Sequence, residues 1–180
     1  PRPVYECTDG PQRELFVGRR TRLGMEVGVD RSGNTGAWLG APGPDAFVTG
    51  SHLASVPGGG AFDGPLGFVS ALDAVARLQA EGHRPSRPTA IAVFAEEEGS
   101  RFGVACLGSR LLSGAISPER APALTDADGT SLEAVLTSPG IDPSGVGPVP
   151  DRLPGTGTFG GLHVAQRRGL GALHPPAPLG

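Results

Sequence analysis

The segment Arg87-Pro-Thr-Ala-Ile-Ala-Val-Phe94 decides the fold, because a short apolar run ends there in the acidic stretch Ala95-Glu-Glu-Glu98. Its apolar residues do not alternate with polar ones, which is typical of a strand that is buried on both faces. The run Ala46-Phe-Val-Thr49 has the same character and leads into Gly50-Ser-His52. The sequence therefore predicts two buried strands, and a polar, chemically versatile segment follows each of them.

The residues between these two strands predict a helix. From Pro65 to Glu81 apolar residues recur at helical spacing, with Pro65 in the first turn and Gly82 just after the end. A strand, a helix and a strand in this order indicate a parallel crossover unit. We therefore predict an α/β fold with a mainly parallel sheet flanked by helices.

Shorter elements surround this unit. Met25 to Val29 and Thr35 to Leu39 flank the turn residues Arg31-Ser-Gly-Asn34, which is the pattern of a hairpin. Helical spacing predicts further helices, and a last strand is predicted near the end of the chain. The helices are expected over residues 12–23, 103–112, 119–124 and 131–136, and the strand over residues 157–164.

The composition narrows the range of functions. The chain has 180 residues, including 30 Gly and 19 Pro, and a net charge of −3. A charge so close to neutral argues against nucleic acid as a partner. No apolar run approaches the roughly 20 residues that cross a bilayer, the first residues contain no export signal, and two cysteines make neither a disulfide framework nor a cysteine zinc site. We expect a cytoplasmic protein.

Candidate ligands follow the predicted strands. In an α/β sheet, ligands gather outside the carboxyl ends of the strands. His52 and Asp63 follow the first strand, Glu96 to Glu98 follow the second, and His163 lies on the last. Imidazole and carboxylate groups suit Zn or Mn. A cation would also relieve the repulsion among three adjacent carboxylates, so a carboxylate-rich metal centre is one interpretation.

Plainer interpretations remain open at this point. Glu96 to Glu98 can equally form a solvated loop after a strand. A strand-end histidine such as His52 is often simply packed or hydrogen-bonded, and Asp63 stands where a helix cap is common. Spacing alone does not choose between these interpretations and a metal site.

Longer motifs resemble a known family. They are Val48-Thr-Gly-Ser-His-Leu-Ala-Ser-Val-Pro57, Gly59-Gly-Ala-Phe-Asp-Gly-Pro-Leu-Gly67 and Phe94-Ala-Glu-Glu-Glu-Gly-Ser-Arg-Phe-Gly103. In this order they resemble the dimetal amidohydrolases of the M20 metallopeptidase-like family that cleave allantoate and N-carbamoyl-amino acids. The similarity runs from about residue 14 to residue 170 and is greatest to bacterial allantoate amidohydrolases.

The resemblance implies roles for six residues and two divalent metal ions, Zn or Mn. It implies hydrolysis of a ureido or amide C–N bond, with release of ammonia, by metal-activated water. One glutamate acts as general base and a glutamine contacts the small-molecule substrate. The implied metal ligands are His52, Asp63, Glu98 and His163, the general base is Glu97, and the substrate-binding residue is Gln166.

The resemblance also bears on domain organisation. It implies that residues 1–164 form the N-terminal part of a zinc-peptidase-like catalytic domain, incomplete at its C-terminus, and that residues 165–180 form an irregular tail. The family is homodimeric through an inserted lid and dimerisation domain, for which the 180 residues leave no room. A further metal-binding histidine of the family is also expected to be missing, so the second metal site would lack a ligand.

Some positions depart from the family pattern. The family has His-Leu-Asp where this chain has His52-Leu53-Ala54, and that Asp holds the ring of the ligand histidine. Loss of such a partner typically costs 10- to 100-fold in metal affinity or activity. Gly161, Ala165 and Arg167 replace the family's Glu, Glu and Gly. We therefore expect a partly degenerate site with impaired activity. The alternative is a non-catalytic remnant that acts as a weak metal-binding or interaction module.

Overall fold

A computed structural model of the chain describes residues 18, 22–43, 45–54, 60, 62–138, 140–148 and 156–164. The helix predicted over residues 12–23 lies almost entirely outside these residues, as does the tail predicted over residues 165–180. Among the described residues, no helix combines the length and the apolar character needed to cross a membrane.

The described part of the chain contains five strands, three α-helices and a short 3₁₀ helix. In chain order they are β1 (Glu26–Val29), β2 (Thr35–Leu39), β3 (Ala46–His52), α1 (Pro65–Ala80), β4 (Thr89–Phe94), α2 (Leu107–Ser113), α3 (Leu132–Thr137), the 3₁₀ helix Pro143–Gly145 and β5 (Thr156–Gly161). The hairpin, the two central strands and the helix between them are confirmed.

All five strands form one sheet in the order β1-β2-β4-β3-β5. The strands β4, β3 and β5 are parallel, and β3 and β4 are joined through α1, as the crossover prediction requires. The pairings β1–β2 and β2–β4 are antiparallel. The α/β class is therefore confirmed, and the sheet is mixed rather than mainly parallel because the hairpin joins it through the edge of β4.

The predicted helix over residues 119–124 is wrong. This segment forms turns, in which the amides of Arg120 and Ala121 both donate to the carbonyl of Ser117. Pro122 follows directly, and it has no amide hydrogen with which to continue a helix. The segment therefore ends in a turn.

The main core lies between α1 and one face of the sheet. Phe68, Ala71, Leu72 and Val75 recur at the spacing of one helical face and are all buried. They pack with buried residues of the sheet and of the segment before it, namely Met25, Ala37 and Ile91. This packing fixes the direction of α1 and therefore places its N-terminus beside the end of β3.

A second core holds the segment after β4. It contains Phe102, Leu107, Leu111, Ala121, Leu132, Val135, Leu136 and Val146. Because α2 and α3 both contribute to it, this core anchors the loop that begins with the three consecutive glutamates.

Candidate metal centre

The candidate ligands meet because β3 and β4 are parallel neighbours. Phe94, the last residue of β4, pairs with His52, the last residue of β3. The glutamates that follow β4 therefore leave the sheet beside His52. Asp63 reaches the same place from the turn before α1, and its backbone carbonyl accepts a hydrogen bond from Leu66 in the first turn of the helix.

His52 lies at the centre of the arrangement and is 1% exposed. Its Nδ1 is 2.7 Å from the backbone carbonyl oxygen of Ala54. Its Nε2 is 3.3 Å from Oε2 of Glu97 and 3.9 Å from Oδ1 of Asp63, and it is a buried polar atom without a hydrogen bond. A buried nitrogen that faces carboxylates without a hydrogen bond is well suited to bind a cation.

Among the described residues, two overlapping groups of side chains could hold a divalent metal. In each group one ligand atom per residue lies within 4.8 Å of the others. One group is His52, Asp63 and Glu98, and the other is His52, Glu97 and His163. The four ligands implied by the resemblance are thus divided between two groups that share His52, and Glu97 stands in the group that contains His163. Gln166 lies outside the described residues.

The electrostatics of the first group also fit a cation. Burial raises the pKa of Glu98, and hydrogen bonding to Asp63 together with the negative charges of Asp63 and Glu97 raises it further. Ionised carboxylates at such short range repel one another, and a divalent ion between them would reverse the sign of the interaction. The donor set, imidazole and carboxylate, is that of Zn or Mn.

The contacts of Glu96 rule out a solvated loop at this residue. It is fully buried, and its backbone φ of 51° is unusual for a residue other than Gly. This conformation turns its side chain away from the metal centre, where Oε1 accepts hydrogen bonds from the amides of Arg101 (2.6 Å) and Phe102 (2.9 Å). Of the three consecutive glutamates, the second and third therefore face the candidate metal centre.

Asn34 supports the site, and sequence reasoning missed it. Its Oδ1 accepts a hydrogen bond from the amide of Ala95, and its Nδ2 donates to the carbonyl of Gly108 and to Asp30. It thereby connects the hairpin turn, the end of β4 and the start of α2. The sequence signalled only a turn at this position, since nothing in it indicates a contact with a residue 74 positions later.

Backbone hydrogen bonds complete the support of the glutamate loop. The amides of Cys106, Leu107 and Gly108 donate to the carbonyls of Glu97, Glu96 and Ala95 in turn. The thiol of Cys106 also lies 3.8 Å from Oε1 of Glu97. Burial, followed by the charge of that carboxylate, raises the pKa of Cys106, which keeps the thiol neutral beside Glu97.

A cavity of about 620 Å³ opens beside the site. His52, Glu97 and His163 lie in its wall, and the rest of the lining comes mainly from the sheet face opposite α1 and from α2. The side chain of His163 is largely exposed, and its Nδ1 is 3.9 Å from Oε1 of Glu97. A small molecule in the cavity could therefore reach Glu97.

Known proteins that are similar in sequence to this chain include two amidohydrolases. No protein-family model matches the chain. It is 36% identical over 161 residues to the N-carbamoyl-L-amino acid amidohydrolase of Geobacillus stearothermophilus, with 88% of this chain and 39% of the relative covered. It is 34% identical over 121 residues to the allantoate amidohydrolase of Bacillus subtilis, with 66% of this chain and 29% of the relative covered.

A solved structure agrees with these sequence matches. It is an amidase of the hydantoinase/carbamoylase family from Burkholderia multivorans, with a TM-score of 0.76 and 29% sequence identity. The match covers 95% of this chain and 41% of that structure. The chain thus spans about two fifths of the length of this structure and of the Geobacillus relative.

Proposed function

Because the chain belongs to the hydantoinase/carbamoylase family of amidases over the part of the fold that it spans, we propose that it takes part in metal-dependent hydrolysis of C–N bonds in a small ureido or amide substrate. N-carbamoyl-amino acids and allantoate are the proposed substrates, since relatives are named for them. The observation that carries the proposal is the buried Nε2 of His52, which faces carboxylates without a hydrogen bond.

In this proposal the candidate metal ligands are four side chains, divided between two groups that share His52. His52 and Asp63 are buried and therefore preorganised, Glu98 joins them from the end of β4, and His163 approaches from the end of β5. When bound, divalent ions there would polarise the scissile carbonyl and lower the pKa of the attacking water. Nε2 of His52 has one lone pair, so the two candidate groups cannot use it at the same time. This favours one well-held ion, in line with the ligand expected to be missing from the second site.

Glu97 is the proposed general base. One of its carboxylate oxygens lies 3.3 Å from Nε2 of His52 and the other faces His163. It is also in the cavity wall, where it can take a proton from the attacking water and pass it to the leaving nitrogen. The hydrogen bond from the amide of Cys106 to its backbone carbonyl fixes its place in the loop. Gln166 remains the proposed substrate contact.

The experiment measures ammonia release from N-carbamoyl-L-amino acids and from allantoate with added Mn²⁺ or Zn²⁺. We expect activity in the unaltered chain and a loss of roughly 10²- to 10⁴-fold in Glu97→Gln, the usual contribution of a general base. Glu81→Gln is the matched control, because it makes the same change at a largely exposed glutamate. Equal activity in Glu97→Gln and the control would contradict the assigned role.

A second candidate, a weak metal-binding module without catalysis, is favoured by the sharing of His52 between the two ligand groups. The same samples distinguish it from the first. Metal binding by calorimetry without ammonia release from any substrate would support the non-catalytic module. Ammonia release that depends on added metal would exclude it.

A further inference from the structure

Two backbone segments hold the imidazole of His52. On one side, Nδ1 lies 2.7 Å from the carbonyl oxygen of Ala54, in a buried environment. On the other side, His52 packs directly against Gly64, where an added Cβ would clash with the backbone carbonyl oxygen of His52 and would also lie 2.5 Å from Nδ1 and 2.7 Å from Cε1 of the ring. The ring therefore has a fixed plane, and a side chain at position 64 would displace both the ring and the backbone that carries it.

We propose that the Ala54 carbonyl, together with Gly64, positions His52 for metal binding in place of a side-chain carboxylate. A carbonyl oxygen can only accept a hydrogen bond, so the proton of the neutral ring must be on Nδ1. The lone pair is then on Nε2, which faces Asp63 and Glu97. Only the identity of what Nε2 binds rests on the proposed function; the position of the proton does not.

A backbone carbonyl is a sufficient partner for such a histidine. Metal-binding histidines donate their second ring N–H to a carboxylate, a backbone carbonyl or a water, and any of these fixes the tautomer. The centre already contains Asp63, Glu97 and Glu98, so another carboxylate at position 54 would add repulsion. Ala54 supplies the hydrogen-bond acceptor without adding that charge.

The departure from the family pattern at position 54 therefore has a different consequence for metal binding. The resemblance led us to expect a 10- to 100-fold cost from the missing Asp side chain. Because the hydrogen bond is already made by the backbone, we now expect that cost to be absent. An acceptor added on the side chain of residue 54 would have no N–H left to receive.

The direct test is the tautomer of each histidine in the whole metal-free chain, read from ¹⁵N NMR of the imidazole nitrogens under conditions in which the rings are neutral. We expect His52 to be a single tautomer with its proton on Nδ1. His83 is the internal control, because its ring is largely exposed; the exposed carboxylate of Glu81, 3.6 Å from its Nε2, can bias its tautomers but not lock them, so a mixture is expected. A proton on Nε2 of His52, or a mixture like that of His83, overturns the inference.

Metal titration gives a second test that does not depend on activity. Calorimetry with Zn²⁺ alone should give Ala54→Asn an affinity within about threefold of the unaltered chain, whereas a gain of tenfold or more would show that the ring lacked a partner. Gly64→Ala should weaken binding at least tenfold, while Gly18→Ala, at a site with nothing within 4 Å, should not. Unchanged binding in Gly64→Ala overturns the inference. A chain with the Nδ1 proton that binds no Zn²⁺ contradicts only the proposed function.

Discussion

Two sets of carboxylates in this chain differ in what surrounds them. Glu96 and Asp126 each accept hydrogen bonds from backbone amides, and Asp126 also accepts one from the guanidinium of Arg101. Glu98 instead faces Asp63 and His52 across a short gap, and Glu97 faces His52 and His163. Glu96 thus differs in role from its neighbours Glu97 and Glu98, although all three are the same residue type. The groups that face each carboxylate determine this role.

The difference predicts opposite energetic effects. A buried carboxylate that accepts hydrogen bonds from backbone amides stabilises the fold, and its removal leaves those amides without an acceptor. Carboxylates that face one another destabilise the fold until a cation lies between them. The effect of a substitution on the free energy of unfolding should therefore depend differently on added metal and on pH in the two sets. It should also depend on how exposed the carboxylate is.

The largest expected effect comes from Glu96→Ala. Two backbone amides, that of Arg101 half-buried and that of Phe102 buried, would lose the oxygen to which they donate, at about 1–3 kcal/mol each, so the free energy of unfolding should fall by about 2–6 kcal/mol. Urea unfolding measures the loss, with Glu81→Ala as the exposed control. The loss should be the same with and without metal. A cost below about 0.5 kcal/mol would show that Glu96 belongs with Glu97 and Glu98 rather than with the carboxylates that accept hydrogen bonds from backbone amides.

The next effect is the gain in stability on metal binding. A ligand at 100 times its Kd stabilises the folded state by about 2.7 kcal/mol. We expect Zn²⁺ or Mn²⁺ to raise the melting temperature of the unaltered chain and to have little effect on Glu98→Gln, which loses a ligand of the first group. Without metal, Glu98→Gln should melt at or above the temperature of the unaltered chain, because repulsion with Asp63 and Glu97 is removed. Equal metal-induced shifts in both chains would contradict this assignment.

A smaller effect on stability is expected from Asp126, and this effect depends on pH. Burial alone would raise its pKa, but hydrogen bonds from the amide of Thr130, from Arg101 and from the amide of Asp128 hold the pKa below its usual 3.8. A lowered pKa adds stability above the unfolded value of 3.8, and this stability is lost as the pH falls through the folded pKa. Asp126→Asn should therefore be less stable than the unaltered chain at pH 7, and the difference should shrink below pH 3.8. A difference that is constant with pH would contradict this reasoning.

The sequence could predict the strands β3 and β4, the helix α1 and the meeting of His52 with the glutamates. Apolar periodicity marks the elements, and the carboxyl ends of parallel strands lie at the same edge of a sheet. The antiparallel addition of β2 to β4 could not be predicted, because local periodicity does not identify which strands pair across the sheet.

The division of the three glutamates could not be predicted either. Tertiary contacts determine the sign of the backbone φ at each glutamate. The positive φ of Glu96 depends on the hydrogen bonds that its side chain accepts from the amides five and six residues later. In the same way, the two contacts that hold His52 come from a carbonyl and a glycine, which carry no side-chain signal. Backbone partners of this kind become visible only in the folded chain.

The smallest effect is expected at Asp73. A substitution there separates the influence of solvent exposure from that of the hydrogen-bond donor. Asp73 on α1 accepts a 2.7 Å hydrogen bond from Arg77 one turn later, a distance between the 2.6 and 2.9 Å of the hydrogen bonds to Glu96. Both side chains are more than half exposed, so water screens the pair, and pairs of this kind contribute about 0.3–0.5 kcal/mol. Asp73→Ala should lower the free energy of unfolding by at most this amount, and 1 M salt should abolish the difference. If Asp73→Ala were as costly as Glu96→Ala, the distance to a donor alone would decide how much a carboxylate contributes to the free energy of unfolding. A negligible cost would show that burial of the donor is also required.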